Sequence, residues 1–224
     1  MSLHDVRFPN ESAAYREKRD QLLEAEVALR DQIEAVARLR RELPPGGEAA
    51  DYSFVGAQGT VRLSELFGEH DSLIVYSFMY ADRDARPCPM CSAFMDSLNG
   101  QLKHIRNRTA FVVTARSPYE KIVSLAAERG WNEIEWVSCA DNDYPRDYRS
   151  ELPDGAQVPM CNVFLRRDGK IFHFWNTEAF FVPSQWHPRH VDMLWPLWHI
   201  FDLTPAGRGD FMPGLDYGER GVIN

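Results

Sequence analysis

Cys88-Pro89-Met90-Cys91 is the stretch of this sequence with the clearest capacity for chemistry. It follows an apolar run and a polar loop, and it stands where a helix is expected to begin. At such a place the free backbone N–H groups and the positive end of the helix dipole favour a thiolate over a thiol. Two cysteines three positions apart at a helix start face the same way, so their sulfurs can close a disulfide. The first thiol of such a pair titrates at roughly 3.5 to 7.5 instead of near 8.5. Cys88 is therefore the expected nucleophile and Cys91 the resolving thiol. Pro89 suits the first helical turn, where a missing N–H costs nothing. Val158-Pro159 precedes an expected hairpin strand, and a cis peptide there would set its backbone against the sulfurs and leave an extended edge for a substrate chain. Cys88, Cys91 and Pro159 are thus the expected site residues, and a protein or small-molecule thiol or disulfide is the expected substrate.

Two other readings of the same residues stay open. CxxC is half of many four-ligand zinc sites, but a second pair is missing, since Cys139 and Cys161 are far apart in sequence. Those two read as small buried hydrophobes at strand ends, although Cys161 lies only two residues beyond Pro159. His187 and His190 have a usable metal spacing, and His173 and His199 lie in the same half of the chain. Trp186, Trp195 and Trp198 around them argue for a packed aromatic terminus instead, so neither metal nor cofactor is expected. The remaining alternative is a noncatalytic binding module.

The elements that must position the motif are legible on either side of it. Ser72 to Met79 is a short apolar run rich in β-formers, and Cys88 to about Asn107 reads as a helix with Phe94, Leu98, Leu102 and Ile105 on one face. Thr109 to Thr114 is a second apolar strand. Ser117-Pro118-Tyr119-Glu120 combines an N-cap, an N1 proline and an N3 acid, so a helix is expected from Ser117 to Arg129, ending at Gly130. Ile134 to Ser138 is a third strand, and Val163 to Phe174 is a hairpin turning at Asp168-Gly169. Tyr52 to Phe67 supplies two short strands around Gln58-Gly59, and His190 to Leu203 reads as an aromatic-rich helix interrupted near Pro196. Before all of these, Glu11 to Leu43 contains no Gly or Pro, and Leu22, Leu29, Val36 and Leu43 recur every seven residues. That predicts a long amphipathic helix, ended by Pro44-Pro45-Gly46-Gly47, that either lies on its own domain or also builds a homodimer. The expected division is an N-terminal helix at 1–45, a main domain at 46–204 and a tail at 205–224. Strand, helix, strand, helix, strand, hairpin is an α/β order with a mixed central sheet flanked by helices.

The 224 residues carry 33 acidic and 25 basic side chains, and the net charge of −8 repels phosphate backbones and anionic lipid heads. Nucleic acid and membrane are therefore not expected as partners. Met1 to Asn10 is polar, no stretch is apolar enough to span a bilayer, and four cysteines are too few for a disulfide-stapled scaffold, so the expectation is a cytoplasmic protein.

The strand, CxxC helix, βαβ unit and X-Pro before a terminal hairpin together resemble the thioredoxin superfamily, on its peroxiredoxin and TlpA branch. Closer still, Ser77-Phe78-Met79, Cys88-Pro89-Met90-Cys91-Ser92, Gly130-Trp131, Phe172-His173 and Asp202 to Arg208 resemble the recurring blocks of a bacterial thioredoxin-like family of unknown function, of the DUF899 type. The resemblance covers nearly the whole chain beyond Gly46 and implies a thioredoxin-like fold, with no established activity. Ser77 stands where thioredoxin carries a buried acid, no tryptophan precedes the motif, and the peroxiredoxin threonine is absent from the loop. Peroxidase chemistry is accordingly not expected, and Asp82 or Asp84 of the loop is the candidate substitute for the missing acid.

Overall fold

A computed structural model describes residues 3–183 and 193–217. The chain divides into two compact units, Met1–Pro44 and Pro45–Asn224.

The first unit is dominated by helix α1, Ala13–Arg41. Ser12 caps it by accepting a hydrogen bond from the Tyr15 amide, and Arg38, Arg40 and Arg41 place positive charge at the negative end of its dipole. None of its residues is buried, and Leu29 is 61% exposed. Leu43, the last member of the seven-residue spacing, lies beyond the helix end.

The second unit contains a seven-stranded mixed sheet. A hairpin of β1 (Ser53–Gly56) and β2 (Gly59–Arg62) turns through Ala57-Gln58, with Gly59 at φ +98°. Strand β3 (Ser72–Phe78) leads into α2 (Pro89–Asn99) and the short α3 (Leu102–Ile105). Strand β4 (Ala110–Ala115) leads into α4 (Tyr119–Arg129), then come β5 (Trp136–Ser138) and α5 (Tyr144–Asp147). The hairpin β6 (Cys161–Arg167) and β7 (Lys170–Asn176) follows, then a 3-10 turn at Glu178–Phe181 and helix α6 (Pro196–Asp202). The sheet order is β2-β1-β5-β4-β3-β6-β7, with β3, β4 and β5 parallel and β6 antiparallel to β3. This is a thioredoxin-like fold. All six residues of β4 are buried, as expected of a parallel strand covered on both faces.

Strand alternation splits the core. Tyr76 and Phe78 of β3 pack with Phe94, Met95 and Leu98 of α2, while Leu73 and Val75 pack with Leu63, Phe67 and Phe164 on the opposite face. The β6–β7 turn at Asp168-Gly169 has both residues at positive φ, +52° and +73°, the geometry that favours this dipeptide in a two-residue hairpin.

Three local expectations need correction. The helix after the motif stops at Asn99, because the Asn99-Gly100 step breaks it into α2 and α3. The second corrected element is α4, where Pro118 occupies the N-cap and Ser117 lies one residue outside. The described part of the aromatic terminus is helical only from Pro196, which starts the helix instead of interrupting it.

Candidate active site

The loop between β3 and α2 is tied down from three directions. The Asp84 carboxylate accepts from the Ala81 amide at 2.7 Å and from the Gln157 side chain at 2.9 Å. Lys121, in the first turn of α4, donates to the carbonyls of Ala81, Asp82 and Asp84 at 3.2, 2.7 and 2.8 Å. Arg83 donates to the Gly155 carbonyl at 2.8 Å. Asp84 is thus engaged in holding the loop, and Asp82 is exposed.

This scaffold delivers Cys88 to the N-cap of α2, with its own amide donating to the Met79 carbonyl at 3.1 Å. Cys88 Sγ accepts from the Cys91 amide at 3.5 Å. Pro89 occupies the first helical turn. The Cys88 pKa is lowered from 9.0 to about 6, chiefly by the hydrogen bond from the Cys91 thiol. The Cys91 and Met90 amides add to this, and partial burial opposes it. Cys91 is 0% exposed, and burial, followed by the neighbouring Cys88, pushes its pKa well above the ordinary value. Tyr76 and the Met79 backbone act in the opposite direction, lowering it. Both cysteines are free thiols. One turn of helix therefore holds an ionisable, partly exposed sulfur above a buried, protonated one.

Pro159 is buried at the same end of the sheet, where the Met160 carbonyl accepts from the Ser77 amide at 2.7 Å and extends the β3–β6 pairing. The Val158–Pro159 peptide is trans, which corrects the expected cis bond. An X-Pro bond prefers trans by only about 0.5–1 kcal/mol, so the dipeptide alone does not select an isomer, and the Val158 amide beside it donates to the Ser150 carbonyl at 2.9 Å.

The other two cysteines lie apart from the helix start. Burial pushes Cys139 up to about 11 and Cys161 up to about 12, which keeps both protonated at neutral pH. Cys139 packs on the face away from α2, whereas Cys161 shares the α2 face and pairs in register with Tyr76. Among the described residues, no group of three or more His, Cys, Asp and Glu side chains is disposed to hold a metal ion. His173 shares a hydrogen bond with Asn162 at 3.1 Å and packs on Phe164, while His187, His190 and Trp186 lie outside the described residues.

Sequence reasoning missed Tyr76. The sequence points to Ser77 as the place of the missing acid and to Asp82 or Asp84 as its substitute, but Ser77 has the wrong parity and lines a small cavity with Thr114 and Cys139 on the other face. Alternation groups residue 76 with 78, but the strand is buried on both faces, so the sequence alone does not say which parity faces the helix that carries the cysteines.

Beside Pro87 a cleft of about 310 Å³ opens between the motif loop and α4, lined among others by Tyr80, Arg86, Lys121, Glu128 and Leu215. No helix among the described residues is long and apolar enough to cross a membrane.

Comparison with curated proteins finds no match. Among solved structures the chain is similar to the peroxidoxin BcpB from Mycobacterium tuberculosis, with 19% identity, 68% of this chain and 94% of that one covered, and a TM-score of 0.44. It is also similar to the exposed lipoprotein thioredoxin Etrx1 from Streptococcus pneumoniae TIGR4, with 14% identity over 65% and 98% of the two chains and a TM-score of 0.40. A peroxiredoxin-like protein from Aquifex aeolicus shares 13% identity over 61% and 76%, with a TM-score of 0.42. The family described as bacterial protein of unknown function (DUF899) matches residues 5–219, nearly the full sequence, and the chain belongs to that family.

Proposed function

We propose that this chain is a thiol–disulfide oxidoreductase in which Cys88 attacks and Cys91 resolves. The observation that carries the reading is the placement of two free thiols one helical turn apart, Cys88 partly exposed at the α2 N-cap and Cys91 fully buried behind it, which lowers the Cys88 pKa to about 6 and raises that of Cys91. At neutral pH, Cys88 is largely thiolate, the form that attacks a disulfide sulfur. Attack on R–S–S–R′ forms the Cys88–S–S–R mixed disulfide and expels R′S⁻, which takes a proton from water. Cys91 then loses its proton, attacks Cys88 Sγ and expels RS⁻, leaving a Cys88–Cys91 disulfide and two reduced thiols. Two electrons pass from the dithiol to the substrate. The reverse sequence oxidises a substrate dithiol. Pro159 serves as a positioning residue, holding the chain beside the end of β3 where a substrate strand would approach. The substrate is a protein or small-molecule thiol or disulfide, met in the cytoplasm, and α1 pairs with a second copy through the exposed Leu22 and Leu29 seam.

Mild oxidation followed by peptide mass spectrometry tests the reading. The expected product links Cys88 to Cys91, with Cys139 and Cys161 still free. Four free thiols after oxidation, or a different linkage, would overturn it. Light scattering with and without residues 1–45 tests the pairing of α1, for which an unchanged monomeric mass is the contrary result.

A further inference from the structure

The cleft beside Pro87 plays no part in the exchange chemistry, although it ends at the residue next to the attacking thiol. Pro87 is buried in its wall, and Cys88 at the α2 N-cap follows about 3.8 Å further along the backbone. A volume of about 310 Å³ lies at the low end of small-ligand sites, which run from roughly 300 to 1,000 Å³. The cleft therefore has room for one arm of a small disulfide and little more.

Three cations line it, and they differ in how far they are committed. Lys121 spends its ammonium on the three loop carbonyls. Arg129 donates to the Leu215 carbonyl at 2.7 Å and to the Asp96 carboxylate at 2.5 Å, so it ties the C-terminal segment and α2 to α4. Arg86, on the motif loop, donates to the Asp216 carboxylate at 3.2 Å, and these two side chains are 69% and 82% exposed. An ion pair so open to water is worth little, because solvent screens it and both side chains lose freedom to hold it. The segment carrying Asp216 has other anchors, since Arg129 holds Leu215 and Phe211 packs edge-on against Phe201 of α6 at 4.9 Å. Asp216 is thus a carboxylate that the chain itself lays on Arg86 at the cleft, and an incoming carboxylate can replace it at small cost.

We propose that the Arg86 guanidinium reads a carboxylate on the substrate, which takes the place of Asp216 while the substrate's sulfur meets Cys88. The substrate class is then a low-molecular-weight disulfide with a carboxylate a few bonds from its sulfur. This rests on the redox reading above and narrows it. Arginine suits the task because its planar fork pairs with both oxygens of a carboxylate and stays charged at any physiological pH. The net charge of −8 repels such a substrate at long range, so discrimination in its favour has to be local. No bond is made or broken at Arg86, and sulfur exchange at Cys88 and Cys91 follows the steps already given.

The test uses the full chain in its dithiol form and two disulfides with arms of nearly equal length, the dianionic 3,3′-dithiodipropionate and the neutral bis(2-hydroxyethyl) disulfide. Alkylation quenching and mass spectrometry follow the loss of the motif thiols, and the readout is the ratio of the acidic to the neutral rate. Normalising to the neutral disulfide removes any general loss of fold or reactivity. Arg86→Gln should lower the ratio roughly fivefold, and Arg86→Lys, which keeps the charge and loses the fork, should fall between. Asp216→Asn removes the competing carboxylate and should raise the ratio about twofold, but only where Arg86 is present. A ratio that none of these replacements moves, or a gain from Asp216→Asn that persists in Arg86→Gln, would overturn the role of Arg86 while leaving the redox reading intact. Failure of the unaltered chain to react with either disulfide would remove the redox reading, and this proposal with it.

Discussion

Helices α2 and α4 are both eleven residues long, both follow a parallel strand, and both start at an X-Pro step, Cys88-Pro89 in one and Ser117-Pro118 in the other. In α2 the residue before proline is the N-cap, and its sulfur accepts the Cys91 amide. In α4 the frame is shifted by one, Pro118 is the N-cap, and no side chain caps the helix. Ser117 is instead buried, donating to the Tyr80 carbonyl at 2.8 Å, while its own carbonyl accepts from Ser138 at 2.6 Å. A helix start that spends its free amides on a side chain can hold a charge there. One whose preceding side chain turns back into the protein fastens the loop of its neighbour. The two helices therefore share a sequence device and divide the work, α2 presenting the thiolate and α4 bracing the loop that carries it.

The largest expected effect breaks the equivalence at the level of chemistry. Cys88→Ser should reduce attack on a model disulfide to background, because a serine hydroxyl stays protonated where the thiolate forms. Cys91→Ser should still attack and then accumulate a mixed disulfide through Cys88. Ser117→Ala should do neither. Alkylation rates against pH are the measurement, and a Ser117→Ala variant that loses the low-pH reactivity of Cys88 would erase the division of labour.

The next effect is on stability. The Cys88 pKa lies near 6 in the folded dithiol against an ordinary 9.0. A depressed pKa adds stability that is complete above pH 9, fades as pH falls through the interval, and is gone below about 6. At pH 8 the linkage amounts to about 2–3 kcal/mol. Urea unfolding of the reduced protein should therefore show stability rising between pH 6 and pH 8, with the rise lost in Cys88→Ser. Equal slopes in the two proteins would mean that the α2 start does not hold a charge.

Ser117→Ala should cost about 1–2 kcal/mol at every pH, since it strands the Tyr80 carbonyl beside a buried residue. The contrast with Cys88 is the absence of a pH window. A cost confined to pH 6–8 would put Ser117 in the electrostatics of the thiol.

Much of this division was legible in the sequence, and the residues show why the remainder was not. Cys88, Pro89 and Cys91 declare a helix start because a cap, an N1 proline and an inward-facing third residue agree locally. Gly130, at φ +70°, likewise marks the end of α4 as expected. Ser117 misled because its capping preference is a local property, whereas its buried hydroxyl found a partner 37 residues away. The Val158–Pro159 isomer was equally beyond local reasoning, since the dipeptide alone does not select one. Tyr76 was overlooked for a different reason: apolar runs such as Ser72 to Phe78 announce a strand without announcing which parity faces the helix that carries the cysteines.

The smallest expected effect tests whether the brace stays mechanical. Lys121 reaches three loop carbonyls and lies 4.5 Å from the centroid of the Tyr80 ring, so it carries the one positive charge that α4 brings to the motif loop through its first turn. It is not among the groups that lower the Cys88 pKa, which are the Cys91 thiol and the amides of Cys91 and Met90. Lys121→Met keeps most of the stem and removes the ammonium. Water can reach the freed carbonyl of exposed Asp82, so the loss of stability should stay at or below about 1 kcal/mol. Hydrogen exchange at the Ala81 and Asp84 amides should quicken, since the turn they close loses its outer support. Cys88 should still titrate at about 6. A midpoint that climbs towards 9 in Lys121→Met would show that α4 stabilises the thiolate through its charge, and the separation between a helix that does chemistry and a helix that props a loop would fail.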